Sequence, residues 1–222
     1  MKPTFYKAFT LIEMSISVGI LVILTTVLLA RYPDAATKLN LINDNFAVAL
    51  SINEAQAKGS AVESLNGVIG GYGVYLDMAN PTKAIQFGDL INGSTSKNGI
   101  PIGDGLYSKM VINGTIVDEA KSTIQLPSGF TFTGLCVTDP PTGLPPYRRC
   151  SDKTDAFGSP QVRNLTITFI RPNPQPLIYI NNVVFAYPEA CIEMKSPQGK
   201  YTRSILVYDT GRITTQNAGC AR

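Results

Sequence analysis

The sequence predicts an α+β chain: one long helix at the N-terminal end, then an antiparallel β-sheet head. Three observations predict it. Glu13 and Arg31 bracket seventeen uncharged, mostly apolar residues. A helix-period pattern runs on from Asp34 to about Glu63. After Gly70-Gly71 the pattern becomes a succession of short strands with no helices between them, which favours antiparallel pairing over an alternating α/β design.

The first element covers residues 9–30. As a helix at about 1.5 Å per residue it would reach roughly 33 Å, enough for one membrane crossing. Lys2 and Lys7 precede it and favour a cytoplasmic N-terminus with an exported C-terminal part, against the opposing bias of Arg31 and Lys38. Glu13 stands just inside the apolar run. A carboxylate at the centre of a bilayer costs roughly 2.5–3.5 kcal/mol on insertion scales, so its presence points to a use.

The second element continues the helix. Leu39, Ile42, Phe46, Leu50 and Ala55 recur every three to five residues, with Asn43, Asp44, Asn53, Glu54 and Lys58 on other faces. The apolar stripe is expected to pack on the head. Pro33 is expected to kink the helix or to start a second segment. Gly59 and Gly67 loosen its end.

Strands are expected at 72–76 and 83–87, paired through the Asn80-Pro81 turn, then at 122–126, 129–134 and 165–170. The apolar run 177–185 reads as one or two buried strands, and 191–194, 202–208 and 212–215 complete the set. Gly211 after Tyr208-Asp209-Thr210 signals a hairpin. Residues 92–105 read as a long polar, solvated loop.

About 190 residues follow Ala30, enough for one domain with a real core. The net charge is +3 and falls to +1 without Lys2 and Lys7, so no global nucleic-acid signature exists. There is no histidine, which excludes the usual Ser-His and Cys-His nucleophile arrangements. Nothing points to a Ser-Lys or paired-carboxylate mechanism. The chain is expected not to be an enzyme and to need no cofactor or metal.

Cys136, Cys150, Cys191 and Cys220 form no CxxC pair and are too widely spaced for a zinc site. An even number in an exported domain reads as two disulfides. Three pairings are possible, and proximity in sequence favours Cys136–Cys150 with Cys191–Cys220. The competing reading is free buried thiols in a reducing compartment.

The string Lys7-Ala8-Phe9-Thr10-Leu11-Ile12-Glu13 with its apolar continuation resembles the N-terminus of type IV prepilins and type II secretion pseudopilins. Ala8 stands where that family normally has glycine. The resemblance implies a leader, residues 1–8, cut between Ala8 and Phe9 by a prepilin peptidase that methylates the new amino group of Phe9. It implies that the Glu13 carboxylate pairs with the terminal amine of a neighbouring subunit in a helical fibre. It also implies a localisation in the bacterial cytoplasmic (inner) membrane, single-pass with the head exported, and later in a pilus or pseudopilus. The run from Cys191-Ile-Glu to Gly211-Arg212-Ile is similar to the last strands of H-type pseudopilins and related minor pilins.

The expected organisation is thus a leader (1–8), a transmembrane or fibre-core half-helix (9–30) and an amphipathic half-helix (31–66). A β-rich head of the pilin type (67–222) follows, with a Pro-rich insertion at about 137–160. The partners implied are other pilin or pseudopilin subunits through the helix, the prepilin peptidase and inner-membrane lipid.

Three plainer readings compete. One is a secretory signal peptide, against which stand the length of the apolar core and the large Leu28 in Leu28-Leu29-Ala30. One is an uncleaved single-pass anchor carrying an exported domain with no fibre. In the last, Glu13 is a helix-start acid favoured by the macrodipole.

A DNA-binding minor pilin of a DNA-uptake pilus is the further alternative. Lys195, Lys200, Arg203, Arg212 and Arg222 outweigh Glu193 and Asp209 from Cys191 onward, a local net of +3. Lys200, Arg203, Arg212 and Arg222 are the candidate DNA contacts, with Tyr201 and Tyr208 available for stacking. A second basic group, Arg148, Arg149, Lys153 and Arg163, is diluted by Asp152 and Asp155. Asp89 and Asp104 flank the polar loop but lack the alternating oxygens and closing glutamate of a calcium loop. Asn92-Gly-Ser, Asn113-Gly-Thr and Asn164-Leu-Thr match the glycosylation sequon, which a bacterial export signature argues against.

Overall fold

In a bilayer nothing but the chain itself can bond its N–H and C=O groups, and a helix satisfies them within one segment. The β-branched run around Val18, Ile20, Val22 and Ile23 is helical despite its modest propensity, as a bilayer would require. The structure is a computed structural model of the 222-residue chain. It describes residues 10–61, 70–89, 94–95, 101–112, 115–140, 148–154, 158, 161–170 and 175–220. The expected leader, the helix end at 62–66, Gly67, half of the Pro-rich insertion and Arg222 lie outside the described residues.

Helix α1 spans Leu11–Ser60, and its helical assignment runs unbroken through Pro33, so no second segment starts there. The strands in chain order are β1 (Tyr72–Asp77), β2 (Lys83–Gly88), β3 (Ser94–Thr95), β4 (Pro101–Ile102), β5 (Lys109–Ile112), β6 (Thr115–Asp118), β7 (Ala120–Gln125) and β8 (Thr131–Thr138). They continue as β9 (Arg148–Cys150), β10 (Asn164–Phe169), β11 (Pro176–Ile180), β12 (Val183–Phe185), β13 (Glu189–Lys195), β14 (Thr202–Tyr208) and β15 (Ile213–Gln216). The class is α+β, and the chain divides into two compact units, Met1–Leu39 and Asn40–Arg222.

The second unit holds two antiparallel sheets. One has the order β12-β11-β10-β1-β2-β7 and the other β15-β14-β13-β8-β9. Strand alternation gives each sheet two distinct faces. Inward go Tyr72, Val74 and Leu76 of β1, Leu165, Ile167 and Phe169 of β10, and Ala190, Ile192 and Met194 of β13. With Leu41, Val48, Ile52 and Ala55 of α1 they form one apolar core. Outward go Tyr75, Thr166 and Thr168 on the first sheet, and Cys136, Cys191 and Glu193 on the second.

The helix buries a stripe that shares only Ala55 with the one its sequence suggests. Leu39, Phe46 and Leu50 are 58, 51 and 67% exposed. The buried positions are Leu41, Asn45, Val48, Ile52, Ala55 and Gly59, spaced by fours and threes. The helix is apolar on two sides, and the packing side is the one that carries a polar Asn45 and a glycine. Asn45 is fully buried, with its Nδ2 3.6 Å from Met194 Sδ. Gly59 is required by close approach: a Cβ there would lie 2.5 Å from the Phe169 carbonyl oxygen.

Several other expectations need correction. The run 177–185 is two strands joined by Asn181-Asn182, whose φ values of 52° and 63° make the left-handed turn that suits a two-residue hairpin. It is not buried throughout, because Val183 and Phe185 on the edge strand β12 are 61 and 54% exposed. The stretch 92–105 contains the β3–β4 pair, and its last residues pack onto the first sheet instead of lying in solvent. The β5–β6 pair and β9 were not expected. Strand β9, inside the insertion, pairs with β8, and its Arg148 forms a half-buried ion pair with Glu189 of β13.

Gly59→Ala puts a methyl group against backbone that cannot yield. It is expected to lower stability by about 1–3 kcal/mol despite alanine's better helix propensity. Urea unfolding of the two proteins side by side checks this, and an unchanged or raised midpoint would contradict the packing described.

Candidate functional site

Two regions hold the residues singled out by sequence: the first turn of α1 and the β13–β15 region of the head. In the first, Thr10 precedes α1 and Glu13 lies in its first turn. The Thr10 N–H donates to Glu13 Oε2 at 3.2 Å, and the Thr10 hydroxyl donates to the same oxygen at 3.0 Å. The Glu13 N–H returns a bond to Thr10 Oγ1 at 3.3 Å. This reciprocal pair is a capping box, which satisfies helix N–H groups that have no carbonyl partner.

The capping box makes Glu13 a helix-start acid, and it leaves the carboxylate with spare capacity. Among the described residues, Oε1 has no hydrogen-bond partner. Glu13 can therefore hold its own helix end with one oxygen while offering the other to a second group.

Behind it, residues 10–30 are all exposed, with Leu28 and Leu29 at 70 and 71%. Ser15, Thr25 and Thr26 turn their hydroxyls back onto the carbonyls of Ile12, Leu21 and Val22 at 2.7–2.9 Å. Those bonds satisfy the hydroxyls within the helix, as an apolar surround would require. The helix is long and apolar enough to cross a membrane, a test that signal sequences also pass. Ala8 and Phe9, the expected cleavage and methylation positions, lie outside the described residues.

In the head, Cys136 bonds Cys150 and Cys191 bonds Cys220, with Cα separations of 4.1 and 5.9 Å. Cys191, Cys136 and Cys150 stand opposite one another on the neighbouring strands β13, β8 and β9. All four cysteines are buried in one cluster on the outer face of the second sheet, against Leu206. Cross-links closing loops of this size remove roughly 3 kcal/mol or more of chain entropy from the unfolded state.

The disulfide to Cys220 is one of several ties on the C-terminal segment. Glu193, 2% exposed, accepts the Cys220 N–H at 3.0 Å and the Thr133 hydroxyl at 2.9 Å. Ser204 donates to the Ala218 carbonyl at 2.8 Å.

The candidate DNA contacts do not form one cluster. Arg203 lies near the start of β14 with its guanidinium over the Phe46 ring at 5.6 Å, and Lys200 sits beside Tyr201 at 5.4 Å. Arg212 follows the opposite end of the strand and stacks on Tyr208 at 4.1 Å. At about 3.3 Å per residue the five steps from Arg203 to Tyr208 separate the two ends by roughly 17 Å. The Gly211 carbonyl of that far turn accepts from Gln56 of α1 at 2.9 Å. Arg222 lies outside the described residues.

Asp89 and Asp104 hold no calcium-type arrangement. Asp89 instead accepts the N–H groups of Asp104 and Gly105. No group of three acidic or cysteine side chains suited to a metal occurs among the described residues.

Sequence reasoning missed Thr10 as a cap, although Thr-x-x-Glu ahead of an apolar run is the signal for one. It also did not foresee that Asp89, weighed only as a calcium-loop acid, Glu119 and Glu193 are buried. For Glu193 the hint was a charge inside the strand Cys-Ile-Glu-Met; for the other two the sequence carries no signal. No family model, no curated protein and no solved structure matches the chain.

Thr10→Val deletes both hydroxyl bonds of the capping box. The Glu13 amide is expected to exchange about fivefold faster in detergent micelles, the equivalent of about 1 kcal/mol for a lost cap. Unchanged exchange would mean that the box does not hold the helix end.

Proposed function

We propose that the chain is a minor pilin or pseudopilin, a structural subunit of a type IV pilus or a type II secretion pseudopilus. It is made with a leader, held in the cytoplasmic membrane through residues 9–30, trimmed between Ala8 and Phe9 by a prepilin peptidase, and added to a fibre by helix packing. Its work is mechanical: the helix joins neighbouring subunits, and the disulfide-stapled head is displayed outside.

The observation that carries this reading is Glu13, a carboxylate at the mouth of an exposed apolar helix with one oxygen bonded to Thr10 and the other without a hydrogen-bond partner among the described residues. A charge in that position is costly in hydrocarbon and gains from a cation brought by a second molecule. The new amino end of a cleaved neighbour is such a cation, and pairing with it fixes the axial register of one subunit on the next. The resemblance of residues 7–13 to prepilins supplies the same partner. The minor rather than major role rests on the size of the head and on its Pro-rich insertion, which would crowd a regular shaft.

Glu13→Ala separates a fibre subunit from a plain anchor. The variant is expected to stay in the membrane fraction while its recovery in sheared fibres falls roughly tenfold or more, the loss of about 1.4 kcal/mol of subunit contact. Recovery equal to the parent protein, or a parent that forms no fibre at all, would reject the assembly role.

A further inference from the structure

The edge of a sheet offers backbone groups that another extended chain can pair, and most edges carry a guard against it. Strand β9 has two arginines among its three residues. Strand β7 has Lys121 and a shift of register against β2. Strand β15 keeps all four of its residues half-buried. The edge strand β12 of the first sheet, Val183-Val184-Phe185, has no charge, no proline and no bulge.

Across the turn Asn181-Asn182, β12 sets Val183 opposite Ile180, Val184 opposite Tyr179 and Phe185 opposite Ile178. Residues of an antiparallel pair alternate between those that exchange both backbone bonds and those whose N–H and C=O point away. The pair that closes a two-residue turn is of the first kind, so Val184 is of the second and turns its N–H and C=O outward. Ile178 and Ile180 belong to the core. Val183 and Phe185 therefore carry the core's face of the sheet out to its edge, where both stay exposed.

Beside Phe185 lies a hollow of about 470 Å³, walled by Ile170, Pro176, Leu177 and Tyr187, with Asp209 of the β14–β15 turn in its lining. The Phe185 and Tyr187 rings are 5.6 Å apart. Asp209 is the one charged residue that lines the hollow. Its carboxylate forms no ion pair among the described residues, and Arg212 of the same turn stacks on Tyr208 instead.

These groups select among ligands. A phosphate or a nucleic acid would meet an acid here and no cation. A sugar would set its hydroxyls against a mostly apolar wall. An extended peptide pairs with the outward backbone of Val184, and a side chain with an apolar stem and a cationic head suits the wall and Asp209 together.

We propose that β12 and the hollow beside it form a docking site for an extended segment of a partner protein, which adds a strand to the first sheet at Val184 and lays a lysine or arginine side chain in the hollow. The backbone bonds to Val184 set the register. Val183 and Phe185 pack against the side chains that flank the pairing residue. The stem of the basic residue lies along Phe185 and Leu177, and its head meets Asp209. The site belongs to the head and depends neither on Glu13 nor on assembly into a fibre.

The probe is the end-blocked peptide Thr-Val-Thr-Lys-Thr-Val-Thr, which puts its lysine and both valines on one face. It is titrated into the full chain in micelles while the Val184 amide is followed by NMR. The lysine peptide is expected to shift that amide to saturation and to bind about tenfold tighter than the same peptide with a central glutamate, because an attraction to an exposed acid gives way to a repulsion. Asp209→Asn is expected to bring the two peptides within about twofold of each other. N-methylation of the amides on either side of the lysine is expected to abolish binding. Val184→Pro removes the outward N–H and leaves the β11 ladder whole, and is expected to weaken binding about tenfold. Phe185→Ser, which leaves every backbone group in place, is expected to weaken it to a similar degree. Equal binding of the lysine and glutamate peptides to the parent protein, undiminished binding of the N-methylated peptide, or a Val184 amide that does not move at millimolar lysine peptide would overturn the proposal. A Val184 shift that grows with protein concentration alone would give the edge to a second copy of this chain and would overturn it as well.

Discussion

A carboxylate that fixes a segment of chain needs donors, and in this chain backbone N–H groups are among them. Glu13 takes the N–H of Thr10, Asp89 those of Asp104 and Gly105, Glu119 that of Ser108 and Glu193 that of Cys220. Each bond fixes a segment that no sheet ladder holds: the helix start, residues 103–108 over the first sheet and the C-terminal segment over the second. A charged acceptor makes a stronger bond than a neutral one, which lets a single side chain do this.

The head follows from the same division between ladder and side chain. The inner faces of both sheets meet α1 residues in one apolar core, where alternation alone decides which residues enter. The outer faces carry what the core has no room for: hydroxyls, rings, cysteines and acids. On the second sheet, the cluster of cysteines and the Glu193 bonds hold the C-terminal segment in place. On the first, the acids and tyrosines hold residues 103–108. One outer layer is fixed by a disulfide and hydrogen bonds, and the other by hydrogen bonds and ring contacts.

Much of this was legible in the sequence, for identifiable reasons. β1, β2, β10 and β14 declare themselves through alternation and β-branched residues, and the long apolar helix through its length. The disulfide pairs followed from proximity. The packing face of α1 was not legible, because Leu39, Phe46 and Leu50 make a better apolar stripe than the buried one, which contains Asn45 and Gly59. The β5–β6 pair was signalled by Asn113-Gly114 between two short apolar runs, a hairpin signal that was read only as part of a sequon. Strand β9 could not be seen at all: three residues, two of them arginine, become a strand only because β8 and Cys136 stand opposite. In the candidate site, Glu13 was conspicuous, while Thr10 drew notice for its place in a motif and not for the bonds it makes.

The proposed role turns on one carboxylate. Glu13 Oε2 secures the start of the long apolar helix, and Oε1 has no hydrogen-bond partner among the described residues. Zero-length carbodiimide coupling on isolated fibres, read by mass spectrometry of the cross-linked peptides, tests that partnership most directly. The account predicts a covalent link from Glu13 of one copy to the amino end of another at Phe9. Glu13 recovered uncoupled, while exposed head carboxylates couple in the same sample, would contradict it.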